Sequence, residues 1–187
     1  MRFTAVLLAL VVSIFLTGCA NLVAPDYSAD YSAVDALKRS GLAKSNVGKV
    51  QPEDAAAKVN LISLRGSSLR AGDTTFAGYV GRAMMSDLKE AGLYDANATR
   101  RIDMVLLKNE IDVSGFSEGL GLIEVQLTIS DGGKTLLQKN YTVKTRFESG
   151  FAGAVAIPKG QTEYPNLVRE LLAAIYRDQA FLQAMRS

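Results

Sequence analysis

Apolar residues recur along this chain at intervals that separate strands from helices. Over residues 119–130, Ile123, Val125, Leu127 and Ile129 face one way and Glu124, Gln126 and Thr128 the other. After Asp131-Gly132-Gly133 the alternation resumes. Leu137, Tyr141, Val143 and Phe147 share one face, and Gln138, Asn140, Thr142, Lys144 and Arg146 the opposite one. A period of two marks strands with one face on a core, so the pair predicts a long β-hairpin. The apolar positions of both strands are odd-numbered, so opposed pairs must sum to an even number. A two-residue turn would oppose Leu127 to Gln138 and break that rule. The expectation is a three-residue loop, 131–133, pairing Leu127 with Leu137 and Ile123 with Tyr141, with Gly133 at the left-handed position.

Helical spacing governs two other stretches. In residues 73–93, Phe76, Val80, Met84, Leu88 and Ala91 form a stripe, with Asp73 or Thr74 as cap and Gly92 as stop. Arg82, Asp87, Lys89 and Glu90 are placed on its wet side. A last helix has Pro165 in its first turn and Leu167, Val168, Leu171, Leu172 and Ile175 on one stripe, and Asp178 caps a short turn carrying Phe181, Leu182 and Met185. Residues 31–40 predict a short helix; 46–51, 58–65 and 102–113 predict strands. Apolar residues on both faces of 58–65 suggest a central strand covered on two sides. Residues 148–161 read as an irregular loop. Together these predict an α+β fold: a mixed, mainly antiparallel sheet with a long hairpin and two main helices packed on one face.

The N-terminus has its own logic. Arg2 precedes an apolar run that is short of the roughly 20 residues a spanning helix needs. The run ends at Leu16-Thr17-Gly18-Cys19, on the one cysteine in the chain. This resembles the lipobox of bacterial lipoproteins. The resemblance implies a diacylglyceryl thioether on Cys19, cleavage after Gly18 and acylation of the new amine, so that the membrane is the first partner. Ala20, where Asp would retain a lipoprotein in the inner membrane of enterobacteria, resembles an outer-membrane sorting residue. The organisation expected is a signal peptide at 1–18, a lipidated tether at 19–30 and a single periplasm-facing domain at 31–187.

Composition excludes several functions. Setting Arg2 aside leaves one basic side chain fewer than the 21 of the whole chain, so basic side chains exceed the 19 acidic ones by one, which is no basis for a nucleic-acid binder. The absence of histidine removes the commonest general base and metal ligand, and no metal or cofactor is expected. Gly115-Phe116-Ser117-Glu118-Gly119 matches G-x-S-x-G, but a strand rather than a helix is predicted after it, and a triad would lack its histidine. Glu110, Asp112, Glu118 and Glu124 could supply a carboxylate pair, so the rival reading is a hydrolase of cell-wall polymer. Phe151, Val155 and Ile157, among glycines in the loop after the hairpin, are the candidate partner-binding residues; the bland alternative is a lid on the core.

A second resemblance rests on the lipobox, the mid-chain helix, the hairpin with its Lys139-Asn140-Tyr141 step, and the terminal helix closing on Asp178 and Phe181. These are similar to the YajG-like outer-membrane lipoproteins and to auxiliary lipoproteins of envelope transport systems, over roughly residues 95–185. The resemblance implies helices on one face of a mixed sheet and transfers no catalytic residue. The function expected is a non-enzymatic binding or scaffolding lipoprotein of the envelope, with another envelope protein as partner.

Overall fold

Two mixed sheets and four helices carry the predicted patterns. The computed structural model describes residues 22–186, so the signal peptide, the lipobox, Cys19 and Ala20 lie outside the described residues. In chain order the elements are β1 (Leu22–Val23), α1 (Tyr31–Lys38), β2 (Asn46–Val47), β3 (Ile62–Leu64) and β4 (Ser67–Arg70). Then follow α2 (Phe76–Glu90), β5 (Arg100–Asp112), β6 (Glu118–Asp131), β7 (Lys134–Glu148), α3 (Gly153–Arg177) and α4 (Gln179–Met185). The larger sheet has the order β2-β5-β6-β7, and the smaller one β1-β4-β3. Ile123, Val125, Leu127 and Ile129 of β6 are fully buried beneath the helices, together with the stripes of α2 and α3. The alternate residues of β6 and β7 face out, which makes this an α+β fold with both main helices on one face.

The hairpin keeps its parity by a different device from the one expected. Asp131 pairs with Lys134 across a two-residue turn whose glycines both have positive φ, 54° at Gly132 and 87° at Gly133. Such a turn alone would send one apolar set to solvent. The register then shifts by one residue, and Ile129 pairs with Leu137, Val125 with Tyr141 and Ile123 with Val143. Leu136 is the extra residue, and it is exposed. A similar shift between Leu106 and Lys108 of β5 lets Ile102, Met104 and Leu106 share the buried face with Asn109 and Ile111.

Three further expectations are corrected. Residues 22–30, assigned to the tether, belong to the fold. Leu22 and Val23 pair in parallel with Leu69 and Arg70, and the Tyr79 hydroxyl donates to the Pro25 carbonyl at 2.7 Å. A strand of two residues is too short to show a period, and side chains from the helices hold Pro25, Tyr27 and Ser28. The stretch 58–65 is not a central strand: a 3-10 turn at Lys58–Asn60 precedes the short edge strand β3, and Leu61 stands exposed.

The supposed loop 148–161 is mostly the start of α3, which takes Pro158 and Pro165 into its interior. A proline there costs about 3 kcal/mol or more, and packing of Ala156, Gly160 and Tyr164 into the core outweighs it locally. Gly160 makes that approach possible. A Cβ at Gly160 would lie 2.7 Å from Val113, 3.1 Å from Leu64 and 3.2 Å from Ile111. Gly160→Val should therefore overpack the contact and cost about 2 kcal/mol, read as a lower melting temperature or urea midpoint; an unchanged midpoint would show that the contact is loose.

Candidate functional site

The β5–β6 connection and the approach to α3 meet at one end of the molecule. There Phe116 and Phe151 lie with ring centroids 5.3 Å apart, 77% and 70% exposed. Val155, on the first turn of α3, adds a third exposed apolar side chain. Arg65, at the β3–β4 turn with φ +50°, anchors this tip. Its guanidinium donates to the carbonyls of Val113 at 2.9 Å, Phe151 at 2.5 Å, Gly150 at 3.2 Å and Gly115 at 3.4 Å. One cation thus neutralises four backbone dipoles and fixes both loops with the aromatic rings outward.

Of the three expected contact residues, Phe151 and Val155 are brought to this surface. Ile157 is not; it is partly buried against the core. Phe116 belongs to the site and was hidden inside the G-x-S-x-G match. Its signal is a large aromatic in a Gly/Ser connection between two long strands. Ser117 itself sits in that connection, its carbonyl accepting from the Ser149 N–H at 2.8 Å, with β6 following it.

Two of the four expected carboxylates, Glu124 and Asp112, are held in the ionised form. Glu124 is paired with Lys108 at 2.7 Å, and that bond holds its carboxyl below the usual range. Asp112 is lowered by the Ser114 hydroxyl and N–H. A glycosidase acid needs the opposite shift. A cleft of about 610 Å³ beside α2 includes Glu53 and Asp73 in its lining. Both are lowered, by Lys49 at 2.8 Å and Arg82 at 2.7 Å respectively. Among the described residues no cluster of acidic side chains is placed to hold a metal ion.

Two other carboxylates are built into the fold. Asp178 caps α4, as expected, and accepts from the Tyr141 hydroxyl at 2.5 Å and from Lys139 at 3.0 Å. This gives the Lys139-Asn140-Tyr141 step a structural role, tying β7 to the α3–α4 corner. Asp87 was expected on the wet side of α2 but is 1% exposed. Its Oδ2 accepts from Tyr27 at 2.9 Å and Tyr176 at 3.1 Å, while Oδ1 has no partner among the described residues. Burial pushes this carboxyl up to about 6, against the pull of the two hydroxyls and with Glu90 and Asp30 adding to the rise.

No family model matches the chain, and no curated protein does. Solved structures resemble it at low sequence identity. A Xanthomonas campestris protein assigned to the DUF330 family is 11% identical with a TM-score of 0.56, over 84% of this chain and 95% of that one. A candidate lipoprotein of Caulobacter crescentus is 12% identical with a TM-score of 0.47, over 82% and 96%. The first of these shows a common fold.

Asp87 generates a pH prediction. Its folded value, about 6, is above the unfolded 3.8, so its contribution is whole below the unfolded value and lost as pH rises through the folded one. The stability of Asp87→Asn relative to wild type should therefore rise between about pH 4 and about pH 7. Melting temperatures of the pair across that range check it; a constant difference contradicts it.

Proposed function

We propose that the protein is a lipid-anchored, non-enzymatic binding or scaffolding lipoprotein of the bacterial cell envelope, held by Cys19 at the outer membrane and facing the periplasm. The observation that carries this reading is the position of Leu22. It pairs with Leu69 in the smaller sheet only three residues after Cys19, so acyl chains on that cysteine would lie at the surface of a folded domain. No helix among the described residues is long and apolar enough to cross a membrane, which leaves anchoring to the lipid in this reading. Two or three acyl chains, at about 0.8 kcal/mol per buried methylene, make such an anchor durable.

Ion-paired carboxylates and an exposed aromatic tip support binding over catalysis. The exposed apolar surface at Phe116, Phe151 and Val155 is the contact site in this reading, and the outward polar side of the larger sheet is left for an envelope protein. An accessory role in an envelope transport or assembly system accords with the resemblance to auxiliary lipoproteins.

Cys19→Ser should abolish fatty-acid labelling and leave an unprocessed precursor. Labelling that persists, with cleavage still between Gly18 and residue 19, contradicts the anchor. Ala20→Asp should shift the protein toward the inner membrane in a host that uses the Asp rule; wild type found wholly in the inner membrane on fractionation contradicts the localisation.

A further inference from the structure

Where the chain joins the fold also determines which end of the domain is near the lipid. β1 runs parallel to β4, with Leu22 opposite Leu69 and Val23 opposite Arg70. The backward direction from Leu22 therefore matches the backward direction along β4, toward Ser67, Gly66 and Arg65. Gly66 lies three residues before Leu69, or about 10 Å at strand rise. Arg65 beside it holds Phe151 and the Phe116 connection by its four backbone bonds. A second element gives the same polarity. Gln161 of α3 donates to the Val23 carbonyl at 2.6 Å, and the start of α3 at Gly153 is about 12 Å away along the helix axis.

The covalent reach of the anchor matches that height. Two residues, Ala20 and Asn21, separate Cys19 from Leu22, and the three steps between their Cα atoms span at most about 11 Å fully extended. A lipid on Cys19 and the Phe116–Phe151 tip can thus lie level on the same side of the domain, with no slack for a protein layer between tip and bilayer. Beside the tip Glu118 is paired with Arg146 at 3.5 Å and Glu148 with Lys159 at 3.6 Å, and Arg65 is a further cation whose partners are backbone carbonyls. What the tip presents to lipid is therefore an apolar surface with one cation beside it, a combination suited to the headgroup boundary.

Resting on the anchored reading above, we propose that Phe116, Phe151 and Val155 form a wedge that docks into the interfacial region of the bilayer carrying the Cys19 lipid, so that the domain is seated on the membrane rather than swinging from it.

The chain has no tryptophan, which makes a single introduced one an unambiguous reporter. The full lipidated chain carrying Phe116→Trp, Phe151→Trp or Lys134→Trp is reconstituted into phosphatidylcholine vesicles containing lipids brominated near the headgroup end of the acyl chains. Position 134 lies at the opposite end of the hairpin from 118 and 148 and serves as the distal control. Each variant is first checked for wild-type melting, and two tip positions guard against one that misfolds. The expected result is at least two-fold quenching with a blue-shifted emission at 116 and 151, and none at 134. Vesicle-bound protein whose tip reporters are unquenched and open to aqueous iodide overturns the wedge while leaving the anchor standing. Tip reporters shielded from both quenchers by a co-reconstituted envelope protein would overturn it in favour of a protein occupant. Protein that does not float with the vesicles overturns the anchored reading and this proposal with it.

Discussion

The pairing of Leu22 and Val23 with Leu69 and Arg70 is the constraint on which the placement of everything else depends. It makes residues 22–30 part of the fold and leaves two residues of sequence between Cys19 and β1. A long tether would allow any face of the domain to meet the membrane. In the proposed reading a short one selects the Arg65 end, because β1 runs parallel to β4. The exposed aromatic pair is at that end, and Arg65 is what holds it outward. In the reading proposed here, anchor and wedge are two parts of one device, connected through backbone hydrogen bonds.

Two carboxylates secure this arrangement with opposite dependence on pH. Burial is the largest influence on Asp178 and would raise it, but Tyr141 and Lys139 together outweigh burial and hold it below the usual range. Its contribution is therefore present at neutral pH and lost as pH falls through its folded value. Asp87 is raised instead, because its two tyrosine donors do not offset desolvation. The Tyr27–Asp87–Tyr176 cluster binds the N-terminal segment to α2 and α3 where that segment passes from β1 to α1. Asp87 ionises near pH 6, whereas Asp178 is already ionised there.

Much of the architecture was legible in the sequence because its periods are long and regular. The stripe of α2, the faces of β6 and β7, and the Asp178 cap follow from spacing and cap chemistry alone. The parity rule predicted which side chains share a face, but not the route to it. A loop of three residues and a tight turn followed by a bulge satisfy the same rule, and Leu136 carries no local mark that separates them. The start of α3 was hidden because Gly153, Pro158 and Gly160 have poor helix propensity, and only the close contact with Val113, Leu64 and Ile111 accounts for the helix there. Asp87 was misplaced for a related reason: its tyrosine partners are 60 and 89 residues away in the chain. The candidate site was half legible. Phe151 and Val155 stood out by composition, Ile157 was turned inward by the unforeseen helix, and Phe116 was masked by a motif that attracted a different reading.

Seating of the domain on the bilayer is the central claim, and the distance between them tests it most directly. Neutron reflectometry on the full lipidated chain, in a supported zwitterionic bilayer, resolves whether protein and headgroup layers are contiguous. The account predicts protein density that begins within the headgroup layer, with no water layer between. A continuous hydrated layer between the headgroups and the protein would mean a domain standing off the membrane and would contradict it.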